Sequence, residues 1–218
     1  MPETSKPLRA DAERNRRLLL DAAADAFAEH GLEVGVAEIA RRAGVGQGTV
    51  FRRFPTKEHL IAAIVVDRMH QATARGREVL TDPDPDGALF ELLASMLGSQ
   101  QADRSLFEAV ADTFLSNEDI RAAHTELVGV LDQLLGRAQD AGAVRDDVGA
   151  LDVLMMFKGV CEATRAFSSV DADIAARQLE LVRAALRPVG TSERLSGRPP
   201  TLADMERAFP RAEGKASA

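Results

Sequence analysis

At 218 residues the chain is long enough to bury one sizeable core and a smaller one besides. It has no Trp, no Tyr and only nine Phe, so its 45% apolar residues must build an interior of Leu, Val, Ile and Ala, which favours packed helices over a β-sandwich. One cysteine, Cys161, excludes an intrachain disulfide and a Cys-rich zinc site, and a net charge of −7 argues against a uniformly basic surface.

The first residues, MPETSKPLRADAERNRR, lack a signal-peptide core, and no stretch approaches the roughly 18 apolar residues of a membrane span. A cytoplasmic protein is expected, in keeping with a lone thiol and a reducing compartment. Residues 1–10 are polar, carry two prolines and read as a disordered arm. Asp11 suits the N-cap of a helix running to His30, with Gly31 as its stop and Leu20, Ala23, Ala24 and Phe27 as its buried stripe. Val36, Ile39, Ala40 and Ala43 repeat that spacing in a second, short helix ended by Gly44. A third helix runs from Gln47 to Arg53, with Val50 and Phe54 inward. Pro55 stops it, and Thr56 caps a fourth helix reaching about Leu80.

The run TDPDPDG at 81–87 breaks the pattern. Helical periodicity then returns at about 87–101, 104–115, 117–141, 147–168 and 171–187, where Pro188 closes the last helix. Residues 188–218 are rich in Pro, Gly, Ser and charge and read as a mostly disordered tail, with a short helical turn near 201–208. No strand pattern of period two survives, so the expected fold is all-α. The expected domains are a head at 11–70 and a regulatory and dimerisation domain at 71–187.

Charge is unevenly placed. Residues 1–60 hold ten Lys or Arg against nine Asp or Glu, while residues 61–218 hold seventeen against twenty-five. Arg41, Arg42, Arg52, Arg53 and Lys57 meet only Glu58 between positions 41 and 60, a compact basic patch on an acidic molecule. The same stretch, VGVAEIARRAGVGQGTVFRRFPTKEHL, reads as two short helices about a glycine turn, a helix-turn-helix over about 35–54. Its second helix offers Gln47, Thr49 and Arg52 outward, and a helix of this size fits the major groove, where Gln can bond adenine and Arg guanine.

These residues resemble the TetR family of transcriptional regulators. The first-helix pattern LLLDAAADAFAEHG and the ungapped VAEIARRAGVGQGTVFRRFPTKEHL carry the resemblance over about residues 12–70, and LLGRAQDAGAVRDDV is similar to the SbtR-like branch of C-terminal domains. The resemblance implies base contacts from Gln47 and Thr49, and base or phosphate contacts from Arg52 or Arg53. It implies that Gly35, Val36, Ala37, Gly46, Gly48, Phe51 and Thr56 also lie against the DNA, and that Lys57 clamps a phosphate. Two positions depart from the family. Gly35 stands where Thr or Ser usually caps the second helix, and Phe51 stands where a Tyr hydroxyl usually reaches the DNA backbone.

Elsewhere the signals are weaker. Asp82 to Gly87 begins like a calcium loop, but Leu93 replaces the bidentate Glu that such a loop needs at its twelfth position. His124 lies in an apolar seam with Ile120, Leu127, Leu131, Leu134 and Ala138, without a catalytic partner at recognisable spacing. Neither a metal site nor a cofactor is expected. Phe90, Met96, Phe107, Phe114, His124, Met155 and Phe157 are candidates for an effector cavity, the alternative being plain core packing.

The stretch 147–168 is apolar almost all round, so it must face both its own core and something else. The last long helix carries two stripes: Ile174, Gln178, Leu181 and Ala185 on one side, Ala175, Leu179, Val182 and Leu186 on the other. Two such helices from each of two chains can close a four-helix bundle, which resembles the family's usual dimer interface. Val160, Arg165, Gln178, Leu181, Val182 and Ala185 are its candidates here.

The combined expectation is a homodimeric one-component regulator, a repressor, that binds palindromic operator DNA and is released by a small, largely apolar effector. A regulator with no small-molecule ligand and an all-α enzyme or metal-binding protein stand as alternatives.

Overall fold

The computed structural model describes residues 5–110, 117–167, 170–171, 173–188 and 194–208. Their regular structure is helical throughout: α1 (Ser5–His30), α2 (Val36–Arg42), α3 (Gln47–Arg53), α4 (Lys57–Val79), α5 (Pro85–Ala102), α6 (Arg104–Ala109), α7 (Glu118–Asp140), α8 (Ala150–Ala163), α9 (Asp173–Leu186) and α10 (Leu202–Ala208), with a 3-10 turn at Arg165–Phe167. The chain divides into two compact units, Met1–Asp67 with Ala102–Asp112, and Arg68–Gln101 with Thr113–Ala218.

In the first unit α1 buries Leu19, Leu20, Ala23, Ala24, Ala26 and Phe27, and α2 packs on it through Ile39 and Ala40. Gly31 takes a φ of 71° and ends α1, a left-handed conformation that side chains rarely adopt. The start of α1 differs from expectation. Helix begins at Ser5, so Asp11 is interior to it and residues 5–10 are not an irregular arm. Pro7 does not prevent this, because the first helical turn has no N–H partner to lose.

A second difference concerns α6, which a simple split near residue 70 would assign to the C-terminal domain. It packs against α1 instead, and Leu106 and Val110 are buried. Apolar burial outweighs chain order here.

The second unit has a continuous core drawn from α4, α5, α7, α8 and α9. Asn117 caps α7 by accepting the Ile120 N–H at 3.1 Å. Gly142, with φ 68°, ends that helix. The loop that follows is fastened by Gln139 Nε2, which donates to the carbonyls of Arg145 and Val148, each at 2.9 Å. α5 begins at Pro85, two residues earlier than the periodicity suggests, because Asp84 accepts the Gly87 N–H at 3.0 Å and initiates the turn.

The expectation of disorder after residue 187 does not hold for 194–200, and the short helical turn expected near 201–208 is present as α10. Arg194 pairs with Asp146 at 3.0 Å, the Leu195 N–H reaches Asp147 at 2.7 Å, and Leu202 packs against the second core. Pro199 sits so close to Gly149 that a Cβ there would lie 2.9 Å from it. This docking combines polar bonds across 48 residues of chain with apolar contacts, and composition alone does not reveal it.

Gly76 marks tight packing inside the second unit. A Cβ at that position would stand 2.5 Å from Val130 Cγ1 and 3.2 Å from Leu92 Cδ2, and valine has little rotamer freedom with which to yield. Gly98, exposed on α5, has nothing within 4 Å of such an atom. Gly76→Ala is therefore expected to destabilise the fold by about 1–3 kcal/mol through overpacking. Gly98→Ala should stabilise it by about 0.5–1 kcal/mol through helix propensity alone. Urea denaturation of both variants checks this opposition of sign.

Candidate nucleic-acid interface

The helix-turn-helix is built from residues too few to hold each other by backbone bonds alone. α2 and α3 have seven residues each, and isolated helices of that length are marginal in water. Burial supplies the difference. Val50 on α3 and Phe54, the extended residue that follows it, are buried, as are Ile39 and Ala40 on α2. Gly44 makes the turn with φ 67°, its N–H donating to the Arg41 carbonyl at 3.2 Å and the next N–H to Ala40 at 3.0 Å.

Anchoring one face of α3 sets the other. Gln47, Gly48, Phe51, Arg52 and Arg53 are exposed, Phe51 by half its area, and Thr49 is half-buried. On α2, Ala37 is exposed and Val36 half-buried. Gly35 and Gly46 are the extended residues that precede the two helices, and neither helix has a side-chain cap. Gly35, Gly46 and Gly48 have ordinary φ, and a Cβ at any of them would meet nothing within 4 Å. Nothing inside the chain requires glycine at these three positions.

Thr56 and Lys57 open α4. The Thr56 hydroxyl accepts the His59 N–H at 3.4 Å and lies 2.9 Å from His59 Nδ1. Lys57 is half-buried, donates to the Leu32 carbonyl, and has its Nζ 5.7 Å from the centre of the Phe27 ring. It thus ties the start of α4 to the loop between α1 and α2, a structural role absent from the sequence reading.

The basic patch is smaller than its composition suggests. Glu38 accepts from Arg41 Nε and Nη2 at 2.8 and 2.7 Å, and from Arg42 Nε at 2.9 Å. Arg42 also pairs with Glu29 at 2.8 Å and lies 3.0 Å from His30 Nε2. These hydrogen bonds, from Arg41 first and then Arg42, lower the Glu38 pKa from its ordinary 4.5 to about 2. Arg41 and Arg42 are therefore committed to carboxylates within the chain. The spacing of Glu38 from Arg41 and Arg42, three and four residues along a helix, was the available sequence signal.

The candidates in the second unit separate. Phe90 and Phe157 are buried in its core and Met96 is packed beside them, with Arg183 5.2 Å from the centre of the Phe90 ring. His124 is buried, and that burial, with a smaller contribution from the Lys158 ammonium, brings its pKa down to about 4. Burial raises the Cys161 thiol to about 11, so it is not a thiolate at neutral pH. Met155 does not join this set. It is 64% exposed on α8. Phe107 is half-buried on α6, in the first unit, and Phe114 lies outside the described residues.

The two stripes of α9 also separate. Ala175, Leu179, Val182 and Leu186 are buried in the second core, whereas Leu181 and Ala185 are exposed and Ile174 and Gln178 half-buried. Val182 and Val160, both expected at a partner surface, belong to the core of their own chain. Arg165 is exposed and pairs with Glu162 at 3.3 Å. Met155, Phe167, Val170 and Leu181 are the large apolar side chains exposed along α8, the turns after it and α9. Among the described residues no group of three or more His, Cys, Asp or Glu could hold a metal ion, and no helix is long and apolar enough to cross a membrane.

Residues 19–64 match the profile of bacterial regulatory proteins of the TetR family, and residues 84–188 match that of the C-terminal domain of SbtR-like transcriptional regulators. A TetR transcription regulatory protein from Mycobacterium vanbaalenii, known from a crystal structure, is 37% identical with a TM-score of 0.65, over 84% of this chain and 100% of that one. The HTH-type transcriptional repressor KstR of Rhodococcus jostii is 29% identical over 148 residues, 66% of this chain and 69% of the relative. The fold is also similar to that of the transcriptional regulator FadR from Bacillus subtilis, solved in complex with stearoyl-CoA, at 22% identity and a TM-score of 0.58 over 78% of this chain and 99% of that one.

Ionised Glu38 is favoured by folding, so its contribution is fully present above pH 4.5 and fades as pH falls toward about 2. Native protein is expected to be more stable than Glu38→Gln at pH 7, with the gap closing across that window. Thermal denaturation of both chains from pH 7 to pH 2 measures it, and a gap that stays constant would contradict the assignment.

Proposed function

The chain belongs to the TetR family of bacterial transcriptional regulators, and from that premise we propose that it acts as a homodimeric one-component repressor of a palindromic operator. The observation that carries this reading is α3 itself, with Val50 and Phe54 buried and Gln47, Phe51, Arg52 and Arg53 exposed. Gln47 and Thr49 read base edges in the major groove, with Arg52 or Arg53 on a base or a phosphate. The three open glycines at 35, 46 and 48 support close approach by a sugar-phosphate backbone, because they leave space that no part of the chain fills. Val36, Ala37 and Thr56 lie beside that approach. The amides at the start of α4 and the remaining donors of Lys57 hold a phosphate. Repression, rather than activation, is supported by the name of the Rhodococcus relative.

Dimerisation uses the exposed side of α8 and α9, with Met155 and Leu181 at its centre and Gln178, Ala185 and Arg165 around them. Large apolar side chains left exposed on neighbouring helices are a recurrent mark of a protein contact. Two-fold symmetry then matches two half-sites about one helical turn apart.

The effector is small and largely apolar and is held in the second unit near Phe90, Met96, His124 and Phe157. His124 is neutral at pH 7, which suits an apolar surrounding. The Bacillus subtilis relative was solved with stearoyl-CoA, a molecule with a long apolar chain. Release requires that the effector bind better to a conformation whose heads no longer match the half-sites.

Footprinting on DNA flanking the protein's own gene tests the reading, and a protected palindrome is the expected result. Lys57→Ala should weaken binding to operator and random DNA alike and flatten the salt slope by about one unit per head, while Gln47→Ala should cost about 1–3 kcal/mol at one base pair only. Anisotropy titrations on both duplexes separate a clamp from a reader. Leu181→Asp should give a monomer by light scattering at micromolar concentration, because an unpaired carboxylate is costly to bury. Val182→Asp would damage the fold instead and cannot serve as the probe.

A further inference from the structure

We propose that Glu38 caps the sequence-independent DNA affinity of this head by holding Arg41, and in part Arg42, away from the phosphate backbone. The inference rests on the DNA-binding reading above. Arg41 is 72% exposed, yet its guanidinium is committed as a two-bond fork to both Glu38 oxygens, at 2.7 and 2.8 Å. The fork is the geometry by which arginine would otherwise grip a phosphate. Arg42 shares the same carboxylate at 2.9 Å and has Glu29 as a second partner at 2.8 Å.

Stability alone is a poor reason for this arrangement, since exposed ion pairs contribute little. Its position gives a better one. Arg41 lies one helical turn after Ala37, and both are exposed, so the two occupy one side of α2. That side begins beside Gly35 and Ala37, two of the proposed backbone contacts. A guanidinium there, if unengaged, would reach phosphate on any sequence. Phosphate contacts carry no sequence information, so such a contact would lengthen residence on bulk DNA without improving choice. An effector can shift the bound population only by its differential affinity for two states. A capped electrostatic term keeps release within an effector's range.

The test measures salt slopes by fluorescence anisotropy on a random-sequence duplex and on the gene's own upstream DNA. Each phosphate neutralised adds about 0.9 to the slope, so one released arginine per head steepens the slope of a two-headed complex by about 1.8. Glu38→Gln keeps the side-chain size and is expected to show that increase, with binding tightened roughly ten- to a hundred-fold at 0.1 M salt on both duplexes. Arg41→Gln in the native background should leave the slope nearly native, and the double variant should return to it. Circular dichroism checks that each head is folded. If Glu38→Gln does not fold, Glu38→Asp, which keeps the charge but loses the fork, should steepen the slope in the same direction. An unchanged slope in the Glu38 variant overturns the proposal. So does an Arg41→Gln effect of equal size with and without Glu38. Native protein that binds neither duplex overturns the DNA-binding reading itself.

Discussion

A helix of seven residues does not sustain itself in water, and the function proposed for this chain rests on one such helix. What holds α3 is the burial of Val50 and Phe54 and its packing against α2, which in turn buries Ile39 and Ala40 and packs on α1. The same burial fixes the rotation of α3 about its axis. With Val50 turned inward, Gly48 and Arg52 lie on the opposite side of the helix, and Gln47 and Phe51 stay exposed at the edge of the buried side. Stability and recognition are therefore two sides of one packing decision, and the helix cannot lose the first without losing the second.

Electrostatics acts within that frame and with finer control than net charge implies. The chain carries −7 overall, and five cations gather between Arg41 and Lys57. Folding divides them. Arg41 and Arg42 converge on Glu38, and Lys57 reaches the Leu32 carbonyl at the face of Phe27. Cations close in sequence thus acquire different tasks, because a carboxylate one helical turn away competes with any external anion for the same donors.

The second unit shows the same logic applied to apolar surface. α9 carries apolar residues on two sides, and only one of them is used internally, by Ala175, Leu179, Val182 and Leu186. Leu181 remains outside, as does Met155 on α8. Close packing makes the core intolerant, as Gly76 on α4 shows against Val130 on α7, whereas the outer side of α8 and α9 retains chemistry suited to a partner surface. The docking of residues 194–208 adds a polar layer through Arg194, Asp146 and Asp147, and a glycine at 149 makes room for Pro199.

The all-α fold, the helix-turn-helix and the buried anchors of α1 to α3 were legible in the sequence, because each depends on residues three, four or seven apart and on glycines and prolines at the element ends. Gly31, Gly44 and Pro55 act on their immediate neighbours, so a linear reading reaches them. Residues 5–10 carry the proline and polarity of an irregular arm, yet proline within a first helical turn is compatible with helix. The Glu38 pairing is equally local, since the carboxylate stands three and four residues before Arg41 and Arg42 on one helix. Other features were out of reach of a linear reading. Which side of α9 is internal, that Met155 faces outward, that α6 returns to the first unit, and that Lys57 is tethered at Leu32 all depend on contacts between segments distant in the chain. Periodicity states that a helix has an apolar side; only the folded neighbours decide which side is covered, because burial is a property of the assembled core and not of the segment.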